Sequence, residues 1–142
     1  MRVMVLIKAN EESEAGAMPD EKFFADMNRF NQDLVKAGVM LDAQGLYPSA
    51  KGVRVSFSGD KVTVTDGPFA EAKELIAGFW LWQVKSIEEA VEWVKRIPKP
   101  AQAGDGEIEI RQVFDVDCKT DFTEEEANKK LEALRAQMDS IK

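Results

Sequence analysis

Two stretches of this chain are apolar at successive positions, which in a strand face opposite sides of the sheet. One is Val3-Met4-Val5-Leu6-Ile7; the other is Phe79-Trp80-Leu81-Trp82, followed by Val84. Such runs need apolar cover above and below. Only two segments of the chain have the spacing of core helices, and two helices cover a single face. An uncovered apolar face of this size is not stable against water. A second copy packed sheet against sheet is the simplest cover, because two-fold dimers are the commonest oligomers. The other available cover is the chain's own C-terminal helix, folded back.

The order of elements follows from local signals. Val3 to Ile7 reads as a strand, and the polar, small residues 10–19 read as a loop. Asp20 is placed to cap a helix carrying Phe23, Phe24, Met27, Phe30, Leu34 and Val35, which Gly38 ends. Val39 to Leu46 reads as a strand. Val53-Arg54-Val55-Ser56-Phe57 and Val62-Thr63-Val64-Thr65 alternate around Gly59-Asp60, a two-residue hairpin turn that pairs Phe57 with Val62 and Val55 with Val64. Gly78 to Val84 is a further strand. Ser86 and Glu89 form a capping box for a helix carrying Ala90, Val91, Trp93, Val94 and Ile97, which Pro98 stops. Glu107 to Val113 alternates as the last strand. Thr123 and Glu126 form a second capping box, opening a helix with a narrow stripe of Ala127, Leu131, Leu134, Met138 and Ile141. That stripe suits a helix lying on its own body or along a partner. Two β-α-β units on one sheet read as an α+β, ferredoxin-like subunit with an inserted β-hairpin.

Composition removes several functions. The 142 residues contain no histidine, which excludes His-based triads, His general bases and His metal ligands. Cys118 is the single cysteine, so there is no internal disulfide and no thiolate zinc site, and a reduced, cytoplasmic setting is expected. No His is present to activate Cys118 as a nucleophile. The net charge of −7 and the scattering of the cations argue against nucleic-acid binding. The N-terminal apolar run is too short for a signal peptide, and Leu75 to Trp82 is too short to span a membrane. No cofactor is implied.

Chemistry-bearing groups gather around Asp66-Gly67-Pro68-Phe69-Ala70-Glu71, between the hairpin and the aromatic strand. Asp66 has two readings. It is a general acid or base whose pKa is raised by burial beside Phe69 and the tryptophans, or it caps a turn with Pro68 at a first helical position. Phe69 is a core anchor or a stacking platform. Glu71, Lys73 and Glu74 form a solvated turn, or else Lys73 binds an anion and Glu71 is a second acid. Arg111 is a salt-bridge partner on its strand or the group that holds a ligand carboxylate. Tyr47 packs on the sheet or donates a phenolic proton. Trp80 and Trp82 belong to the core or to a dimer interface.

These residues carry a family likeness. The Asp66–Glu71 motif with Lys73-Glu74, the Val3–Ile7 strand, Ala37-Gly38-Val39 leading to Gly45-Leu46, the preceding hairpin, Gly78, Ala90, Glu92-Trp93 and Glu109-Ile110-Arg111 resemble the DGPF-type proteins of the YCII-related family. The likeness covers about residues 1–116 and leaves 117–142 as a helical tail. It implies a ferredoxin-like subunit forming a dimeric α/β barrel. The family's suspected chemistry involves a His–Asp pair in a cleft; this chain keeps the Asp and lacks the His, so that mechanism does not carry over. Some DGPF members are encoded beside, or fused to, extracytoplasmic-function sigma factors, which the resemblance extends to a regulatory association. Two functions are therefore expected in competition. One is a small-molecule enzyme with Asp66 as acid/base in a homodimer cleft. The other is a non-catalytic ligand-binding or regulatory interaction module.

Overall fold

The computed structural model describes residues 1–71, 74–99, 106–114 and 122–141, the last segment with side chains from 128 to 140. The chain divides into two compact units, Met1–Gln112 and Val113–Lys142. In the first, β1 (Arg2–Lys8) is followed by α1 (Glu11–Glu14), α2 (Glu21–Lys36), β2 (Met40–Gly45), a 3-10 turn (Ser49–Lys51), β3 (Val53–Ser58), β4 (Lys61–Asp66), β5 (Ile76–Gln83), α3 (Ile87–Val94) and β6 (Ile108–Gln112). The second contains α4 (Phe122–Ile141).

The architecture is mixed α+β. Four strands form one antiparallel sheet in the order β2-β5-β1-β6, and β3-β4 forms a separate two-stranded sheet. The four-stranded sheet is open, with β2 and β6 as its edges, so no closed barrel is found among the described residues. Pairings of Val3 with Trp82 and Val5 with Trp80 put these four side chains on one face. There they pack with Phe30 and Leu34 of α2, Ala90 of α3, Val39 and Val84 into the buried core. Phe30 meets Trp80, Trp82 and Trp93 at ring-centroid distances of 5.9, 6.4 and 6.3 Å. The Trp80 indole donates to Asn31 Oδ1 at 3.0 Å, whereas the Trp82 indole N–H is buried with no acceptor among the described residues.

Met4, Leu6, Phe79 and Leu81 point to the opposite face, are half-buried and lie outside that core. Both core helices serve one side of the sheet, as expected from their number.

Several local expectations hold in detail. Asp20 Oδ1 accepts from Phe23 N at 2.8 Å, and Gly38 ends α2 at φ +72°, a conformation that suits glycine. The hairpin has the expected register, Phe57 opposite Val62 and Val55 opposite Val64. Gly59 alone of the two turn residues has positive φ, at +60°, the pattern of a II′ turn.

Other expectations are corrected. Residues 11–14 form a helical turn rather than loop, because Asn10 and Ser13 make a reciprocal capping box. At α3, Ser86 Oγ accepts from Glu89 N at 3.1 Å, but Glu89 Oε2 accepts from Lys85 N at 2.8 Å, one residue before the cap. The α3 helix ends at Val94, ahead of Pro98, and Ile97 reaches the core from the following turn. The α4 helix begins at Phe122, so Thr123 lies inside it, and the side chains of that capping box fall outside the described residues. Cys118 also lies outside them.

Leu34 is completely buried, whereas its neighbour Val35 is exposed. Leu34→Ala should lower stability by about 3 kcal/mol. Val35→Ala should change it by less than about 0.5 kcal/mol. Urea unfolding followed by tryptophan fluorescence distinguishes the two.

Candidate functional site

The Asp66 loop is held by groups that converge on Ser49. Glu14, at the end of α1, accepts from Ser49 N at 2.9 Å and from the Ser49 hydroxyl in a short hydrogen bond. Ser49 Oγ in turn accepts from Phe69 N at 3.1 Å. Gly67 N donates to Gly52 O at 2.9 Å. Three segments far apart in sequence are thereby joined at one hydroxyl. The Ser49 bonds favour the charged form of Glu14, and the side-chain bond contributes most to holding its carboxyl below the ordinary value of 4.5. Neither Glu14 nor Ser49 was legible as a site residue, because they meet only through tertiary folding. The one local signal was the Asn10/Ser13 cap that forms α1.

Gly67 is required by close approach. A Cβ at this position would lie 1.7 Å from Ser49 O and 2.6 Å from Ser49 C, both backbone atoms that cannot swing aside. The Gly67–Pro68 peptide bond is cis.

The structure places the expected site residues as follows. Asp66 is the last residue of β4, opposite Val53, and is exposed. It is not beside the tryptophans, which belong to the four-stranded sheet, so within one subunit it is not desolvated by them. It does not cap a helix either: no helix starts at Pro68, and the carboxylate has no hydrogen bond to the described residues. By the alternation of the strands, Asp66 shares a face of the hairpin with Val53, Val55, Phe57, Val62 and Val64. All of these are exposed, Phe57 to 77%. The opposite face carries Arg54, Ser56, Ser58, Lys61, Thr63 and Thr65.

Phe69 is half-buried outside the core, so it is not the core anchor expected; Arg54 lies over its ring at 4.0 Å. Tyr47 is 78% exposed rather than packed on the sheet, and Lys51 sits over its ring at 4.5 Å. At exposed positions each such contact contributes about 0.5–1 kcal/mol, enough to bias a side-chain position. Lys73 lies outside the described residues. Glu71 adopts φ +70°.

Arg111 is on edge strand β6 opposite Met4, whereas the loop rejoins the sheet at Ile76, opposite Lys8. Four residues separate Met4 from Lys8, roughly 13 Å along the strand. The Arg111 guanidinium is 3.8 Å from Glu109, and both side chains are solvated. Trp80 and Trp82 take the core reading.

The space between the sheet and the helices is filled by the aromatic core. A shallow depression of about 520 Å³ lies along α2, lined by Phe24, Ala25, Met27, Asn28 and Asn31. Among the described residues, no group of three or more Asp, Glu or Cys is arranged to hold a metal ion. No described helix is long and apolar enough to cross a membrane. The hairpin base thus presents an unengaged carboxylate at the edge of an apolar face, and two nearby segments each carry a cation over an aromatic ring, Lys51 on Tyr47 and Arg54 on Phe69. Such a set can exchange a proton with a bound molecule and attract an anionic group.

Residues 1–117 match the model of the YCII-related domain. The chain is also similar to an uncharacterised protein of Rhizobium meliloti (strain 1021), 30% identical over 105 residues that make up 72% of this chain and 84% of that protein. The chain belongs to the YCII-related family, as the motif residues suggested.

Gly67→Ala should cost about 2 kcal/mol or more by overpacking against Ser49. Gly52→Ala, whose Cβ would sit 3.4 Å from the same oxygen in extended backbone, should cost far less. Thermal unfolding of the two variants measures this. The depressed Glu14 pKa stabilises the fold above about pH 4.5, and that contribution is lost as pH falls through the lower, folded-state value. Ser49→Ala should bring the Glu14 titration back toward 4.5, as read by carboxyl NMR chemical shifts.

Proposed function

We propose that this YCII-related protein is a DGPF-type member and a cytoplasmic homodimer of ferredoxin-like subunits, with sheets packed face to face in the manner of a dimeric α/β barrel. In this reading it acts on a small organic molecule bound at the base of the hairpin, with Asp66 as the acid–base group. The observation that carries it is the contrast within one loop. Glu14, Ser49, Phe69 N–H and the Gly67 contact hold the loop rigidly, yet the Asp66 carboxylate is used for none of that holding. A cap would engage its carboxylate; a catalytic or binding acid is held out on a fixed scaffold. Asp66 also borders the hairpin's apolar face. Cover over Val53 and Val64 would exclude water from the carboxylate. Tyr47 and Phe69 each carry a cation over the ring, Lys51 and Arg54, and these, with Arg111 and Lys73 as sequence candidates, are the groups proposed to hold an anionic part of the ligand.

A second reading is a non-catalytic binding or regulatory module, of the kind a sigma-factor association would need. It is supported by α4, where Leu131, Leu134 and Met138 form an exposed stripe at helical spacing. Such a stripe suits a partner helix.

Asp66→Asn separates the readings. Native mass spectrometry of the full chain should show a small molecule retained by the wild type and retained less by the variant, at unchanged thermal stability. Equal retention, or a wild type that holds nothing, counts against Asp66. A stability loss in Asp66→Asn equal to that of Gly67→Ala would return Asp66 to a structural role.

A further inference from the structure

The C-terminal helix α4 carries its apolar and charged residues in one seven-residue frame. Leu131, Leu134 and Met138 lie three and four residues apart and form a single exposed stripe. Ala127 and Ile141 continue that spacing in the sequence. These are the seam positions of a coiled coil, where one helix is met by another. In the same frame, the positions that border the seam are Asn128, Lys130, Arg135 and Gln137. Lys130 and Arg135 stand on opposite sides of the stripe. Both are exposed, and neither has an ion pair with a described residue. Glu132 and Asp139 take positions farther round the helix, behind the bordering ones.

A seam helix chooses its partner through the charges at its borders. A second α4 is a poor match. Set parallel, Lys130 of one copy faces Arg135 of the other; set antiparallel, the bordering cations meet only Asn, Gln or another cation. In neither arrangement does a bordering acid answer them. We infer that α4 is a docking helix for a separate protein, one that offers an amphipathic helix whose apolar seam is bordered by Asp or Glu. This rests on the binding-module reading above and gives that module's partner its charge. The Leu131, Leu134 and Met138 stripe supplies the apolar contact, and the two cations select acidic partners over basic ones. Their alkyl stems widen the apolar surface while their heads reach carboxylates across the seam. An anionic membrane is the other surface that a helix with cations beside an apolar stripe can meet. Two observations count against it. Glu132 and Asp139 offset two of the three cations Lys129, Lys130 and Arg135, and the described stripe holds no aromatic residue.

The test presents the full chain with two labelled synthetic helices of matched length, both with Leu at every seam position. One carries Glu and the other Lys at every bordering position, and binding is read by fluorescence anisotropy. The Glu probe should bind about tenfold or more tightly than the Lys probe, and should lose most of that advantage at high salt. Lys130→Glu combined with Arg135→Glu should reverse the preference, and the milder pair Lys130→Gln with Arg135→Gln should bring the two probes close to parity. Leu134→Asp should abolish binding of the Glu probe, with helix content unchanged by circular dichroism. Equal binding of both probes by the wild type, or a preference that the charge variants leave unchanged, overturns the acidic partner and keeps α4 as a docking stripe. Failure of the wild type to bind the Glu probe, together with failure of the reversed variant to bind the Lys probe, overturns the docking stripe as well and points to cover from within the chain. A wild type that ignores the Glu probe but sediments with phosphatidylcholine vesicles containing about one-third phosphatidylserine overturns the protein partner in favour of a membrane.

Discussion

Everything in the body of this protein depends on the β1–β5 pairing and on which side of it is covered. Val3, Val5, Trp80 and Trp82 form the floor on which Phe30, Leu34 and Ala90 pack, and that floor is dry. The same pairing sends Met4, Leu6, Phe79 and Leu81 to the other side, because strand side chains alternate. A sheet built from such strands cannot be apolar on one side alone. That second apolar face is the consequence of making the central strands apolar throughout.

The hairpin repeats the problem on a smaller scale. A two-stranded ribbon is marginal by itself in water. Here it is anchored at its base by Gly67, Ser49 and Glu14, while its apolar face stays exposed along its length. Its sharp division into a Val/Phe face and a Ser/Thr/Arg/Lys face is the pattern of a sheet that is half-covered when at work. Asp66 stands where the rigid base meets that apolar face.

Local rules were legible wherever the cause lay within a few residues. The Asp20 cap, the Gly38 stop, the Gly59 turn and the pairing of Val55 with Val64 depend on short-range hydrogen bonds and on strand alternation, so spacing alone revealed them. The α3 cap was half legible: Ser86 behaves as its position demands, but Glu89 reaches Lys85 N, a choice between neighbouring donors that spacing cannot make. The candidate site was less legible still. The motif announced that the 66–71 loop matters and supplied the family, yet Asp66 was expected beside tryptophans that belong to another sheet, and Phe69 was expected in the core rather than under Arg54.

What the sequence by itself determined is the order of the strands and of the longer helices, the sidedness of each strand and the fact that two core helices cover one face of the sheet. These follow from periodicity and counting. Only the tertiary structure decided that Ser49 is the hub of the loop, that Gly67 is glycine because Ser49's carbonyl abuts it, and that the tryptophans belong to a different sheet from Asp66. Those facts depend on which distant segments come together, and no local pattern encodes a distance between residues far apart in the chain.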